Sequence, residues 1–193
     1  MMLALPPAPP PAPRRQVLVG AAVGSSAAAM LIGGMLALFL RFRHEAQQAG
    51  TAWVPKGIAF PEVACNVMLI GFLPICVFAA WAIYAARNDD KQHAALALGL
   101  VALVGIAMVN AQANIYAQMK IAVTDGPYGP MFYAVTGTFL VLLVIGIAFS
   151  AITAFRFLGG RSTDREIVSA HGVYWFALSA IFFVLWFVVY VKK

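Results

Sequence analysis

Five long apolar blocks, separated by short polar links, make up most of the chain. Each block is longer than the about 20 residues that a helix needs to cross the hydrocarbon core of a membrane. The pattern therefore predicts an all-α, polytopic membrane protein, a bundle of five transmembrane helices. The predicted domain covers residues 16–193, and its spans lie at about residues 17–40, 63–86, 94–119, 131–155 and 167–191.

A proline-rich arm precedes the first block. Six of the eight residues from Pro6 to Pro13 are proline, which lacks the amide hydrogen that a helix needs. We therefore expect residues 1–15 to be a disordered N-terminal arm. Arg14 and Arg15 before an apolar run are also typical of a secretory signal peptide. The run is too long for a signal core, so we favour a retained span.

Charge is scarce and confined to the chain ends, the links and the ends of the blocks. Only 10% of the 193 residues are charged, while 63% are hydrophobic, and a charge inside a membrane is costly unless it is paired. The net charge of +6 is explained by basic residues that anchor at lipid headgroups, so no nucleic-acid partner is expected. With the N-terminus inside, seven basic residues lie on the cytoplasmic side and six outside, a weak preference for that orientation.

The third block carries polar side chains in its second half. Asn110 and Asn114 share one face of the predicted helix, and Gln112 and Tyr116 share another. Amides in lipid seek hydrogen-bond partners, each worth about 0.6–2 kcal/mol. Two interpretations stay open: contact with a partner helix or a lipid headgroup, or ordinary bonding between helices of the bundle.

The first block contains a second candidate interface. Gly20 and Gly24 have the spacing of two small residues on one helix face, which lets helix backbones approach closely in lipid. The alternative is that glycine and alanine are simply common in membrane helices.

The blocks contain no candidate catalytic, cofactor or metal site. His44 and His93 lie in links, and His171, one turn into the last block, is interpreted as an interfacial side chain rather than a haem ligand. Cys65 and Cys76 lie roughly 16 Å apart along one helix, too far to form a disulfide. The blocks hold no acid for a proton-coupled transporter and no residues that would support a membrane enzyme.

Short motifs occur in a fixed order along the chain. Trp53 and Pro55 stand in the first link, and the remaining motif residues are Gln112 with Tyr116, Tyr128 with Gly129, Phe132 with Tyr133, Thr136 with Gly137, and Tyr174 with Trp175. Together they resemble the haem-copper oxidase (cytochrome c oxidase) subunit III family, in its short five-helix bacterial form. Each motif is weak alone, and their order makes the resemblance specific.

The chain departs from that family at the ionisable positions. Ile115 stands where the family has a glutamate, and Phe139 and Leu142 stand where it has a His-x-x-His pair. Phe176 replaces a histidine, Ser179 replaces an acid, and the first block has no acid at all. The resemblance therefore implies a divergent relative that keeps a scaffold role rather than a role in proton relay.

The resemblance implies a non-catalytic accessory subunit that packs on the catalytic oxidase subunit and holds phospholipid. It implies no cofactor on this chain, with haem and copper in a partner subunit. The expected location is the bacterial inner (plasma) membrane, with a cytoplasmic N-terminus and an external C-terminus. Two alternatives remain open: a similar accessory subunit of a nitric oxide reductase or quinol oxidase, and a free-standing small membrane transporter.

Overall fold

The computed structural model describes residues 15–55, 57–58, 60–124, 126–159 and 165–192. Within them the helices are α1 (Gln16–Gln48), α2 (Glu62–Arg87), α3 (Lys91–Met119), α4 (Tyr128–Leu158) and α5 (Arg165–Trp186), and a π-helical turn (Phe187–Val191) continues α5. All five are long and apolar enough to cross a membrane. The predicted all-α, polytopic fold is therefore confirmed. The predicted proline-rich arm lies outside the described residues, apart from Arg15.

The helices form a ring in the order α1, α5, α2, α3, α4, and α4 also contacts α5 across the ring. Consequently α1 and α3 lie on opposite sides of the bundle. We use two names below. The N-terminal end of the bundle holds the start of α1 and the α2–α3 and α4–α5 links. The C-terminal end holds the α1–α2 and α3–α4 links and the end of α5.

Helix α1 is longer than its predicted span, which ended at Leu40. It continues to Gln48 because polar side chains pair along its last turns. Arg41 Nε lies 2.9 Å from a carboxylate oxygen of Glu45, and the Gln48 amide lies 3.0 Å from the His44 ring. Such pairs, four residues apart, stabilise a helix in water. The apolar pattern marks where the chain leaves the membrane, not where the helix ends.

Polar contacts hold the N-terminal end of the bundle together. The carboxylate of Glu166, at the start of α5, accepts a hydrogen bond of 3.0 Å from the backbone N–H of Leu18, which has no partner within the first turn of α1. Arg165 forms an ion pair with Asp89 of the α2–α3 link. The α5 start is thus tied to α1 and to the link before α3.

The centre of the bundle is filled by aromatic rings. Phe72 of α2 stacks on Phe182 of α5 at a centroid distance of 4.8 Å, and Phe139 of α4 lies 5.1 Å from Phe182. Where α4 meets α5, a Cβ atom added to Gly146 would lie 3.0 Å from the rings of Trp175 and Tyr174. Glycine at this position therefore allows the two large side chains to pack.

Candidate functional site

The motif residues at the start of α4 lie at the C-terminal end of the bundle. Tyr128 and Phe132 are almost fully buried, and their rings stack at 5.9 Å. Tyr128 also meets Trp53 edge-on at 5.4 Å, and Trp53 meets Phe39 of α1 at 5.2 Å. A continuous row of aromatic contacts therefore holds the α1–α2 link against α4.

The α3–α4 link packs on the same part of α4. A Cβ atom added to Gly129 would lie 2.4 Å from the carbonyl oxygen of Ala122, so this close approach requires glycine. One turn further on, the Tyr133 hydroxyl donates to the carbonyl of Ile121 at 2.9 Å. Gly129 and Tyr133 therefore position the link, whereas Gly137 has open space around it.

Gln112 and Tyr116 face the interior from α3. Gln112 is 2% exposed, and its amide nitrogen donates to the hydroxyl of Tyr190 at 3.4 Å. The Tyr116 hydroxyl donates to Oγ1 of Thr136 at 2.8 Å. The Thr136 hydroxyl donates in turn to the carbonyl of Phe132 at 2.6 Å. For this pair, bonding between helices of the bundle is the interpretation that holds.

Asn110 and Asn114 face away from the bundle. Both are exposed, and neither makes a hydrogen bond to another residue that the structure describes. Gln118, one turn beyond Asn114, is exposed as well. Asn114 and Gln118 border a groove of about 670 Å³ between the end of α3 and the start of α2. The side chains of Asn110 and Asn114 therefore make no hydrogen bond inside the described part of the bundle. Their contact with a partner outside the chain stays a prediction.

Tyr174 and Trp175 join α5 to α4. The Tyr174 hydroxyl donates to the carbonyl of Leu142 at 2.8 Å, and the Trp175 ring nitrogen donates to Ser150 Oγ at 3.0 Å. Sequence reasoning missed Ser150, which is 1% exposed. The available signal was a hydroxyl inside an apolar block, since a buried polar group needs a hydrogen-bond partner.

His171 corrects one of the sequence predictions. It is fully buried, with 0% exposure, so its interpretation as an interfacial side chain is wrong. Its Nε2 lies 2.7 Å from Ser150 Oγ, and Ser150 donates to the carbonyl of Gly146 at 3.0 Å. Because the hydroxyl has a single proton, the network is satisfied when Nε2–H donates to Ser150. His171 Nδ1 then has no partner among the described residues.

The positions at which the chain departs from the resembled family have different surroundings. Ile115 and Phe139 are 0% and 1% exposed, and Phe139 is part of the central aromatic stack. Phe176 is partly exposed on the outside of α5. Ser179 donates to the carbonyl of Trp175 at 2.8 Å, so a small hydroxyl paired within its own helix stands where the family has an acid.

Gly20 and Gly24 are exposed on α1, and a Cβ atom added to either one would meet no atom within 4 Å. The contacts of α1 inside the bundle come from another face. Its buried residues are Ser25, Ala28, Ile32, Leu36 and Phe39. The two glycines therefore do not pack against the part of the chain that the structure describes, and their role as a helix interface with a partner stays a prediction.

Metal-ligating side chains do not converge in the described ranges. No group of three or more His, Cys, Asp or Glu side chains comes together there. Cys65 is buried and Cys76 is half-buried, and neither forms a disulfide with a described residue. What the described site offers is a set of hydrogen-bonding and packing groups rather than a donor set for a metal ion.

Comparison with known proteins gives one family. The family model of cytochrome c oxidase subunit III matches residues 25–193. The chain is 26% identical over 148 residues to cytochrome c oxidase subunit 3 of Sus scrofa, covering 72% of this chain and 55% of that protein. The corresponding protein of Prototheca wickerhamii is 25% identical over 166 residues, covering 80% of this chain and 62% of that protein. The chain thus spans little more than half the length of these relatives.

Proposed function

Because this chain belongs to the cytochrome c oxidase subunit III family, we propose that it is a non-catalytic accessory subunit of a membrane respiratory haem-copper oxidase. In this role it packs on the catalytic subunit and contributes to the stability of the complex. Haem and copper are held by the partner subunit, and this chain supplies no ligand to them. The other subunits of the complex are further partners.

The observation that supports this function is the extent of the family match. It runs from residue 25, within α1, to residue 193. The motif residues at the start of α4 are also the ones that fix both links at the C-terminal end of the bundle. Tyr128 is 1% exposed, and Gly129 has the backbone of the α3–α4 link against it. The resemblance therefore involves the residues that define the bundle.

Location and lipid contact are part of the proposal. We place the chain in the bacterial inner membrane, with the N-terminus cytoplasmic and the C-terminus outside. An apolar groove of about 240 Å³ lies between α1 and α5, and its lining includes Gly33, Leu36, Ile181 and Val184. An acyl chain suits these walls, so this groove is the proposed place where the subunit holds phospholipid.

The experiment is mild-detergent purification through a tag on this chain, followed by a reduced-minus-oxidised absorption spectrum. We expect haem bands together with a histidine-rich membrane subunit, because haem iron takes axial histidine ligands. The identity of that subunit separates a cytochrome c oxidase from a quinol oxidase or a nitric oxide reductase. A lone, colourless 20.6 kDa chain that stays folded in several detergents would overturn the proposal and favour a free-standing membrane protein.

A further inference from the structure

Helix α3 has an outward-facing row of residues that differs from the other outward surfaces. We name this row the α3 seam: Leu103, Ala107, Asn110, Asn114 and Ala117, all of which are exposed. Exposed positions on α2 and α4 are apolar in the middle of the span, for example Leu73 and Val144. The seam alone places two carboxamides on the outside of the bundle well inside a described helix.

The depth of Asn110 makes its exposure costly in lipid. It lies about 13 Å along the helix axis from the end of α3 at Met119, farther from a helix end than any other carboxamide in the described helices. Hydrocarbon offers no donor or acceptor, and neither Asn110 nor Asn114 bonds to another described residue. A headgroup level with the end of α3 would have to reach about 13 Å along the helix to satisfy Asn110.

The spacing of the seam residues suits contact with a single partner helix. Its residues follow one another at intervals of four, three, four and three, the pattern by which two membrane helices pack at a small crossing angle. Ala107 and Ala117 flank the two asparagines, so a second backbone can come close enough for hydrogen bonds. Polar residues at such positions select a partner and fix its register.

We propose that the α3 seam binds one membrane-spanning helix of the catalytic subunit. The facing helix presents small residues together with hydroxyl or carboxamide side chains, which give each asparagine both a donor and an acceptor. This inference rests on the proposed function. It also separates two surfaces, because the seam lies on α3 and the Gly20–Gly24 face lies on α1, two helices on opposite sides of the bundle.

The seam leads into a space that such a partner can use. The groove between the end of α3 and the start of α2 begins at Asn114 and is lined by Ala111, Gln118 and Val67. It opens at the C-terminal end of the bundle, where the partner helix would leave the membrane.

The first test compares purified complexes of tagged variants. Replacing both asparagines (Asn110→Leu with Asn114→Leu) is expected to lower the haem subunit recovered per tagged chain about tenfold, because two intramembrane hydrogen-bonding groups are lost. The matched control is Asn66→Leu, which removes an exposed carboxamide from α2 outside the seam, and it should leave recovery unchanged. Full recovery by the double variant would overturn the proposal.

The second test leaves both asparagines in place and identifies the neighbour of the seam directly. A photo-reactive amino acid at Ala107 is irradiated in native membranes, and the products are identified by mass spectrometry. We expect a cross-link to a membrane-spanning segment of the haem-carrying subunit. The reference position is Val144, exposed on α4, which should give none. A product of two copies of this chain, or no protein product at Ala107, would overturn the proposal.

The outcomes distinguish the two proposals. If the unmodified chain brings down haem but Ala107 cross-links to no oxidase subunit, the seam assignment fails and the proposed function stands. If the unmodified chain brings down no haem, the proposed function fails first. A cross-link from Val144 instead of Ala107 would move the interface to α4 and overturn the seam.

Discussion

Helix α3 carries two polar pairs that look equivalent in the sequence and are opposite in the structure. Gln112 and Tyr116 point inward and bond to Tyr190 and Thr136. Asn110, two residues before Gln112, points outward with Asn114, and neither bonds to a described residue. The inward pair joins α3 to the rest of this chain, whereas the outward pair requires something from outside it.

The contrast shows why polarity inside a membrane helix has two meanings. In water, polar residues mark the outside of a helix and apolar residues the inside. In lipid, both sides are apolar by default, so a polar residue marks a contact without telling which neighbour makes it. Only the packing of α3 between α2 and α4 decides which pair is internal.

The largest expected effect on this chain comes from the inward amide. Gln112→Leu leaves the hydroxyl of Tyr190, which is 5% exposed, without its partner, at a cost of about 1–3 kcal/mol in the free energy of unfolding. Denaturant unfolding of the purified chain in detergent measures it. Adding Tyr190→Phe should restore most of the loss, because removing both partners can be nearly neutral.

The control for that prediction lies on the same helix. Gln118→Leu also removes a carboxamide from α3, but on its exposed side, and it should change the free energy of unfolding by less than about 0.5 kcal/mol. If Gln112→Leu and Gln118→Leu had equal effects, the distinction between the inward and outward polar groups would be lost.

A smaller effect is expected from Tyr116→Phe. The variant loses the hydrogen bond to Thr136 Oγ1 but strands no donor, since Thr136 still donates to the carbonyl of Phe132. The ring contacts with Phe132 and Tyr133 also remain. We expect a loss of about 0.6 kcal/mol, measured by the same unfolding experiment. Tyr84→Phe is the control, because Tyr84 is exposed. A larger loss of unfolding free energy for Tyr84→Phe than for Tyr116→Phe would contradict the assignment of Tyr116 to the inward pair.

The fold could be predicted from the sequence, and the direction of individual side chains could not. Apolar blocks of sufficient length determine five spans whatever their order of packing. His171 shows the limit, because a histidine one turn into a block suits the interface equally well. Its surroundings include Ser150 of another helix and Trp175 one turn later, and neither contact is visible in the sequence. The outward direction of Asn110 likewise follows from which helices flank α3.

Helix lengths show a related limit. The predicted first span ended where the apolar residues end, at Leu40, but α1 continues to Gln48 through the paired side chains of Arg41 and Glu45. Those pairs are visible in the sequence as charges four residues apart. They were assigned to the link because the apolar pattern reports membrane burial and carries no information about helices that extend into water.

The smallest effect belongs to the third polar contact of α3, at its solvated start. The Asp90 carboxylate accepts a hydrogen bond of 3.1 Å from the backbone N–H of His93, and this bond lowers the pKa of Asp90 below its usual value of 3.8.

A carboxylate with a lowered pKa in the folded state stabilises that state fully above the ordinary pKa. The contribution is lost as the pH falls below about 3.8. The protection of the amides in the first turn of α3 against hydrogen exchange, expressed relative to their intrinsic exchange rate at each pH, should therefore fall in acid. Asp90→Asn should remove that acid response, because asparagine keeps an acceptor but has no charge to lose. The nearby Asp89–Arg165 pair is present in both proteins, so the difference between the unmodified chain and the variant excludes its contribution. Gln112 has no ionisable group, so a matching acid response at the inward pair would contradict the distinction between the solvated and the buried polar contacts of this helix.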